Sequence, residues 1–199
     1  MGRARPAVAF HTVLTQSDSA APAAMLTAMH ELEQLDVDAL IADIAARLKK
    51  RIQEQDLDKP VLVGIRTGGV WLAQRLQKKL KLPGPIGELN IAFYRDDFSR
   101  IGMHPTVAPS QLPFDVNDRH LLLVDDILYT GRTIRAAMNE IFDYGRPRSI
   151  NLVVLIDRGG RELPIDANVY GARTTLATGQ HVKLLGPDPL RLEMGATKS

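Results

Sequence analysis

The chain has 199 residues, a formal net charge of +2, a pI near 9.0 and no cysteine. That length suits one domain with a real core, and the lack of thiols excludes a disulfide framework and any thiolate metal site. The mild charge neither demands nor excludes nucleic acid, and no apolar run approaches the roughly 20 residues that cross a bilayer.

In chain order, residues 1–35 read as a flexible extension. Arg3 and Arg5 precede a weakly apolar stretch broken by His11, Thr12, Thr15 and Gln16, a poor signal-peptide core. Cytoplasmic residence is the default expectation, with Met25 and Met29 as alternative starts. The folded domain is expected over 36–199. DVDALIADIAARLKKRI places Val37, Leu40, Ile41, Ile44, Leu48 and Ile52 at helical spacing behind an Asp36 cap. PVLVGI reads as a buried strand, RTGG as a turn, and VWLAQRLQKKL as a second helix. ELNIAFYRDD alternates Leu89, Ile91 and Phe93 on one face, as a strand does. From Asp96 to Asn117 regular signal vanishes, which marks a lid or binding loop. HLLLVDD is another buried strand, RTIRAAMNEIFDYG a helix stopped at Gly145, and SINLVVLIDRGG a further strand. NVYG, HVKLL and LRLEM are short strand-like pieces.

Strands and helices alternate, and the central strands are nearly continuous apolar runs. The fold class expected is α/β, a mostly parallel sheet with helices on both faces. Ligands of such sheets bind beyond the carboxyl ends of the strands, where RTGG, DDILYTGRT and DRGG would all lie.

LLLVDDILYTGRT carries the most specific chemistry. Asp125 and Asp126 stand at a strand end, and ionised carboxylates accept hydrogen bonds from vicinal sugar hydroxyls. Thr130, Gly131, Arg132 and Thr133 open the next helix, where free amides and the dipole bind anions and Gly131 lets the backbone approach a phosphate. The pair of features fits a ribose 5-phosphate. A P-loop is excluded because no GxxxxGK[ST] is present, and GIRTGG has the wrong glycine spacing for a dinucleotide fingerprint. Trp71 reads as packing rather than base stacking, and the histidines show no metal-ligand spacing.

VDDILYTGRT resembles the phosphoribosyl-diphosphate motif of the type I phosphoribosyltransferases. Together with YRDD, RPRSINLVVLIDRG and RELPI, it looks like the pyrimidine-operon attenuation regulators, which are also uracil phosphoribosyltransferases. The likeness runs from about Asp36 to Gly171. It implies the type I phosphoribosyltransferase fold with a flexible lid and a small hood, and the conversion of uracil and phosphoribosyl diphosphate to UMP and diphosphate. Asp125 and Asp126 would take the ribose hydroxyls. Leu128, Tyr129, Thr130, Gly131, Arg132 and Thr133 would form the 5-phosphate site. Arg66, Thr67, Gly68 and Gly69 would face the diphosphate. Arg95 and Asp96, with Tyr94 and Asp97, would open the catalytic lid, and Ile156, Asp157 and Arg158 would read uracil. Mg2+ would arrive on the substrate, with no direct protein ligand. UMP sensing, pyrimidine-operon mRNA binding and a homo-oligomer are further implications, with Arg146, Arg148, Arg161 and Arg173 as RNA candidates. A non-catalytic or weakly catalytic RNA-binding transcriptional attenuator, or a phosphoribosyltransferase for another base, remains an alternative.

Two positions depart from the family pattern. Gly68 stands where a pyrophosphate-loop arginine is common, which implies weaker activity. Gly160 replaces a histidine of DRGHRE, which bears on RNA binding.

Overall fold

A computed structural model describes residues 32–91 and 109–196. Helix α1 spans Val37–Glu54 and is capped as its sequence predicts, with the Asp36 carboxylate accepting from the Ala39 amide at 3.0 Å. The packed chain begins before the expected boundary at residue 36. Leu32 is buried, Leu35 lies against the core, and the Glu33 carboxylate accepts from the Met194 amide.

Five parallel strands form the main sheet in the order β2-β1-β3-β4-β5. They are β1 Val61–Ile65, β2 Gly87–Leu89, β3 His120–Leu128, β4 Ser149–Asp157 and β5 Val169–Arg173. Helix α2 spans Gly68–Leu80 and α3 spans Arg132–Tyr144. Side chains alternate across the sheet. Leu62, Leu122, Val124, Val153 and Leu155 pack under α1 and α2, while Val63, Leu121, Leu123, Leu152 and Val154 pack with Ile134, Ala137 and Ile141 of α3. Each such side chain, fully buried, contributes about 1.5–3 kcal/mol. Both faces are therefore apolar, and the exposed chemistry is pushed to the strand ends.

A separate antiparallel hairpin, β6 Gln180–Leu185 and β7 Arg191–Ala196, forms the hood. Val182, Leu184 and Leu192 anchor it in the α1/α2 core. Trp71 is half-buried against the connecting loop, where a Cβ on Gly186 would come within 2.8 Å of its ring. Its role is packing, as its sequence context suggests.

The structure shifts three expected boundaries. Gly68 and Gly69 belong to the first turn of α2 rather than to a preceding turn. The strand expected over ELNIAFYRDD is hydrogen-bonded only across Gly87–Leu89, although Ile91 is buried, and Phe93 lies outside the described residues. Strand β3 runs through both aspartates, pairing Asp125 with Val154 and Ile127 with Ile156, before ending at Leu128. Among the described residues no helix is long and apolar enough to cross a membrane.

Candidate active site

The parallel register places the ends of β1, β3, β4 and β5 along one edge. The RTGG segment and the β3–α3 corner meet there directly. A Cβ built on Gly68 would lie 2.4 Å from the Asp126 Oδ2, and one on Gly69 would lie 2.4 Å from the Val124 carbonyl oxygen. Only glycine lets α2 begin this close to the carboxylate. A larger residue at position 68 would displace Asp126 from this arrangement.

The two aspartates differ. Asp126 is half-buried, and its carboxylate makes no hydrogen bond or ion pair among the described residues. Asp125 is only 1% exposed, and its Oδ1 accepts from the Asp126 amide at 3.0 Å. The two carboxylates thus differ in access, with Asp126 the more open. Neighbouring side chains on a strand point to opposite faces, and β3 continues through this pair.

Beyond Leu128, whose side chain is buried, the chain turns sharply. Gly131 caps α3 with φ +91°, a left-handed conformation that a side chain would disfavour. Thr130 is buried, and its Oγ1 accepts from the Arg132 amide at 3.3 Å. Among the described residues no side chain caps the other first-turn donors of α3, which leaves the amides around Gly131–Thr133 open at its amino end. Arg132 does not point there. Its guanidinium pairs with Glu162, at 2.7 Å from Nε and 2.6 Å from the other nitrogen.

On the diphosphate side, the Arg66 amide donates to the Leu89 carbonyl at 2.9 Å, and its guanidinium pairs with Glu88 at 2.5 Å. The Arg66 Nε is buried with no hydrogen-bond partner among the described residues. Thr67 is exposed and caps α2 through its backbone. Glu88 was not singled out in the sequence. Its only signal is a lone acid in a short strand next to β1.

The three residues expected at uracil separate. Ile156 is fully buried. Asp157 is 2% exposed, and both of its oxygens are occupied. Oδ1 accepts from the Gly159 amide and from Arg161 at 2.5 Å, while Oδ2 accepts from Arg173 at 2.9 Å. Burial pushes its carboxyl pKa up, but those bonds outweigh it and hold the group below its ordinary 3.8. With three of its roughly four acceptor sites taken, the buried carboxylate has little capacity left for a base N–H. Its partners are Arg161 and Arg173 rather than Arg158. Arg158 instead lies 3.6 Å over the Tyr129 ring and donates to the Gln180 carbonyl. Burial lowers its pKa, and the neighbouring tyrosine partly offsets that. Tyr129 is 43% exposed. A Cβ on Gly160 would come within 2.6 Å of its ring, so this loop conformation has no room for the family histidine.

A cavity of about 490 Å³ opens beside this edge, lined by Gly159, Leu163, Pro164, Ile165, Thr174 and Thr175 together with the Asp157 ion network. None of Asp125–Thr133 lines it, so it lies next to the acid-and-cradle corner and not within it. Arg95, Asp96 and the rest of the expected lid fall outside the described residues.

Comparison with known proteins agrees with this arrangement. A phosphoribosyl transferase domain profile matches residues 31–184. The bifunctional protein PyrR of Nitrosococcus oceani is 59% identical over 162 residues, covering 80% of this chain and 92% of its own. That of Pseudomonas fluorescens is 55% identical over 155 residues, covering 78% and 92%. Among solved structures, the hypoxanthine phosphoribosyltransferase of Trypanosoma cruzi superposes with a TM-score of 0.55 at 24% identity, over 71% of this chain and 75% of its own. That of Staphylococcus aureus gives 0.55 at 21%, over 74% and 80%. These two structures support the fold alone. The chain belongs to the phosphoribosyltransferase family and, within it, to the bifunctional PyrR proteins, uracil phosphoribosyltransferases that also regulate the pyrimidine operon.

Proposed function

We propose that this chain makes UMP from uracil and phosphoribosyl diphosphate at the corner between Gly68, Asp126 and Thr133, and senses UMP in the same pocket. The observation that carries this reading is the approach of Asp126 to Gly68, which unites the ribose acid with the diphosphate turn. Asp126 accepts the ribose hydroxyls, and Asp125 fixes the peptide that carries it. The amides of Gly131–Thr133 and the threonine hydroxyls take the 5-phosphate. The Thr67–Gly69 backbone takes the diphosphate, with the Arg66 guanidinium beside it. The base lies against the Arg158–Tyr129 pair, with donors from Arg158 and the backbone of the Ile156–Arg158 strand end meeting its carbonyls.

Displacement at C1 develops positive charge on the sugar and negative charge on the departing diphosphate. No covalent nucleophile is required, because placement and fixed dipoles lower the barrier. Among the described residues, no group of three or more acids or histidines could hold a metal ion. Mg2+ carried by the diphosphate and the hydroxyls would neutralise charge there with few protein ligands. The expected lid, with Arg95 and Asp96, would exclude water from the developing cation.

For the regulatory partner, pyrimidine-operon mRNA, the candidate arginines do not form one patch. Arg146 and Arg148 precede β4, whereas Arg161 follows its carboxyl end and Arg173 is the last residue of β5, roughly 26 Å away along the strand. Arg161 and Arg173 are also engaged by Asp157 and Asp166.

Turnover of uracil with phosphoribosyl diphosphate and Mg2+ tests the reading together with two single variants. Asp126→Asn loses about a thousandfold or more in kcat/KM, since two charge-assisted bonds are each worth roughly 2 kcal/mol. Asp125→Asn loses less. Asp126→Asn with near-parental turnover contradicts the ribose assignment.

A further inference from the structure

We propose that Arg161 is a positioning residue for the 5-phosphate cradle, holding the Leu128–Gly131 turn from outside rather than offering its charge to RNA. The inference rests on the phosphate assignment above. It starts from where the Arg161 donors go. Its Nε donates to the Ile165 carbonyl at 2.9 Å. One terminal nitrogen donates to the Tyr129 carbonyl at 2.7 Å, with Leu128 and Gly159 carbonyls at 3.4 Å. The other is held by Asp157 at 2.5 Å, and Asp166 stands at 3.7 Å. The side chain is 22% exposed. Every edge of the planar fork is therefore used inside the protein, an arrangement that lysine cannot reproduce.

The carbonyls it holds are those of the last β3 residue and the first residue of the turn into the cradle. The same loop adds further grips. The Arg158 amide donates to the Leu128 carbonyl at 3.0 Å. The Glu162 and Leu163 amides both donate to the Thr130 carbonyl, at 3.0 and 3.1 Å. The Leu163 and Ile165 side chains stand against Gly131, within 3.3–3.4 Å of where a Cβ would be. The β4–β5 loop is thus a cast around the phosphate turn, and Arg161 joins its two ends. Asp157 fixes Arg161 on the sheet, and Arg173 locks Asp157 in turn.

A phosphate site made chiefly of backbone amides, with short threonine hydroxyls beside them, has little side-chain freedom to readjust, so its affinity depends on how firmly the turn is held. Loosening the cast should weaken recognition of the 5-phosphate and leave base and ribose recognition nearly intact. The test is calorimetric binding of UMP and of uridine, with steady-state kinetics, for the parent, Arg161→Gln and Arg161→Lys. Thermal melts establish that each variant is folded at the assay temperature. We expect the preference for UMP over uridine to shrink about tenfold in both variants. Uridine affinity should stay within about twofold, and the KM for phosphoribosyl diphosphate should rise about tenfold with kcat within about threefold.

Equal losses for UMP and uridine would overturn the proposal, because they mean general loosening. So would an unchanged UMP preference with weaker binding of pyrimidine-operon leader RNA, which makes Arg161 an RNA contact. Thr133→Ala separates the two levels of the argument. If it shrinks the UMP preference and the Arg161 variants do not, only the positioning role fails. If neither changes it, the phosphate assignment itself fails.

Discussion

Strands β3 and β4 lie side by side, end at the same edge of the sheet and carry acids there, yet the two ends are in opposite hydrogen-bonding states. At the β3 end the Asp126 carboxylate has no partner among the described residues, and the α3 amino end has no side-chain cap. At the β4 end Asp157 is buried, and both of its oxygens are bonded, by Gly159, Arg161 and Arg173. An acid at a strand end is thus no guide to function until its acceptor sites are counted. The open acid is suited to a ligand and the saturated one to holding a loop.

Filling the space that the open acid needs sharpens this contrast most. Gly68→Ala places a Cβ within 2.4 Å of the Asp126 Oδ2, with the Asp126 Cβ only 2.8 Å away, so the carboxylate or the start of α2 must move. Turnover should fall about 10- to 100-fold, an effect of roughly 1.4–2.7 kcal/mol on the barrier, with little change in the melting temperature. Parental kinetics in that variant would separate the diphosphate turn from the ribose acid.

The saturated acid should respond the other way, in stability before catalysis. Asp157→Asn leaves Arg161 and Arg173 facing an amide and should cost about 3 kcal/mol, a fall in Tm of roughly 6–12 °C. The pH dependence has a definite sign. The folded pKa of Asp157 is depressed, so its contribution is complete above the ordinary 3.8 and is lost as pH falls through the lower folded value. The stability gap between parent and variant should therefore be constant near neutrality and close below about pH 4, as followed by denaturant titration. A gap independent of pH into the acid range would argue that the network contributes little.

Much of the fold was legible because its signals are periodic. The α1 cap at Asp36, the apolar runs of β1, β3 and β4 and the stop of α3 at Gly145 all appear where spacing and turn chemistry place them. Gly145 stops the helix by close approach to Asn117, 2.9 Å from where a Cβ would be, rather than by a left-handed turn. The site was legible only as a set of segments. That RTGG and VDDILYTGRT meet follows from parallel pairing, but the different orientations of Asp125 and Asp126 depend on β3 continuing past them. The partners Glu88, Glu162 and Arg173 carry no local signal, since each reaches its arginine or acid across the fold. Asp157 is assigned to uracil by family resemblance and by the backbone of its strand end, and the guanidinium groups folded onto its carboxylate carry no local sequence signal.

The most direct test is a crystal structure of the protein with phosphoribosyl diphosphate and Mg2+. It should show ribose hydroxyls within hydrogen-bond distance of Asp126, the 5-phosphate on the Gly131–Thr133 amides, and Asp157 still bound to Arg161 and Arg173. A sugar phosphate lodged instead in the cavity beside Gly159 and Thr174, with Asp126 untouched, would contradict the account.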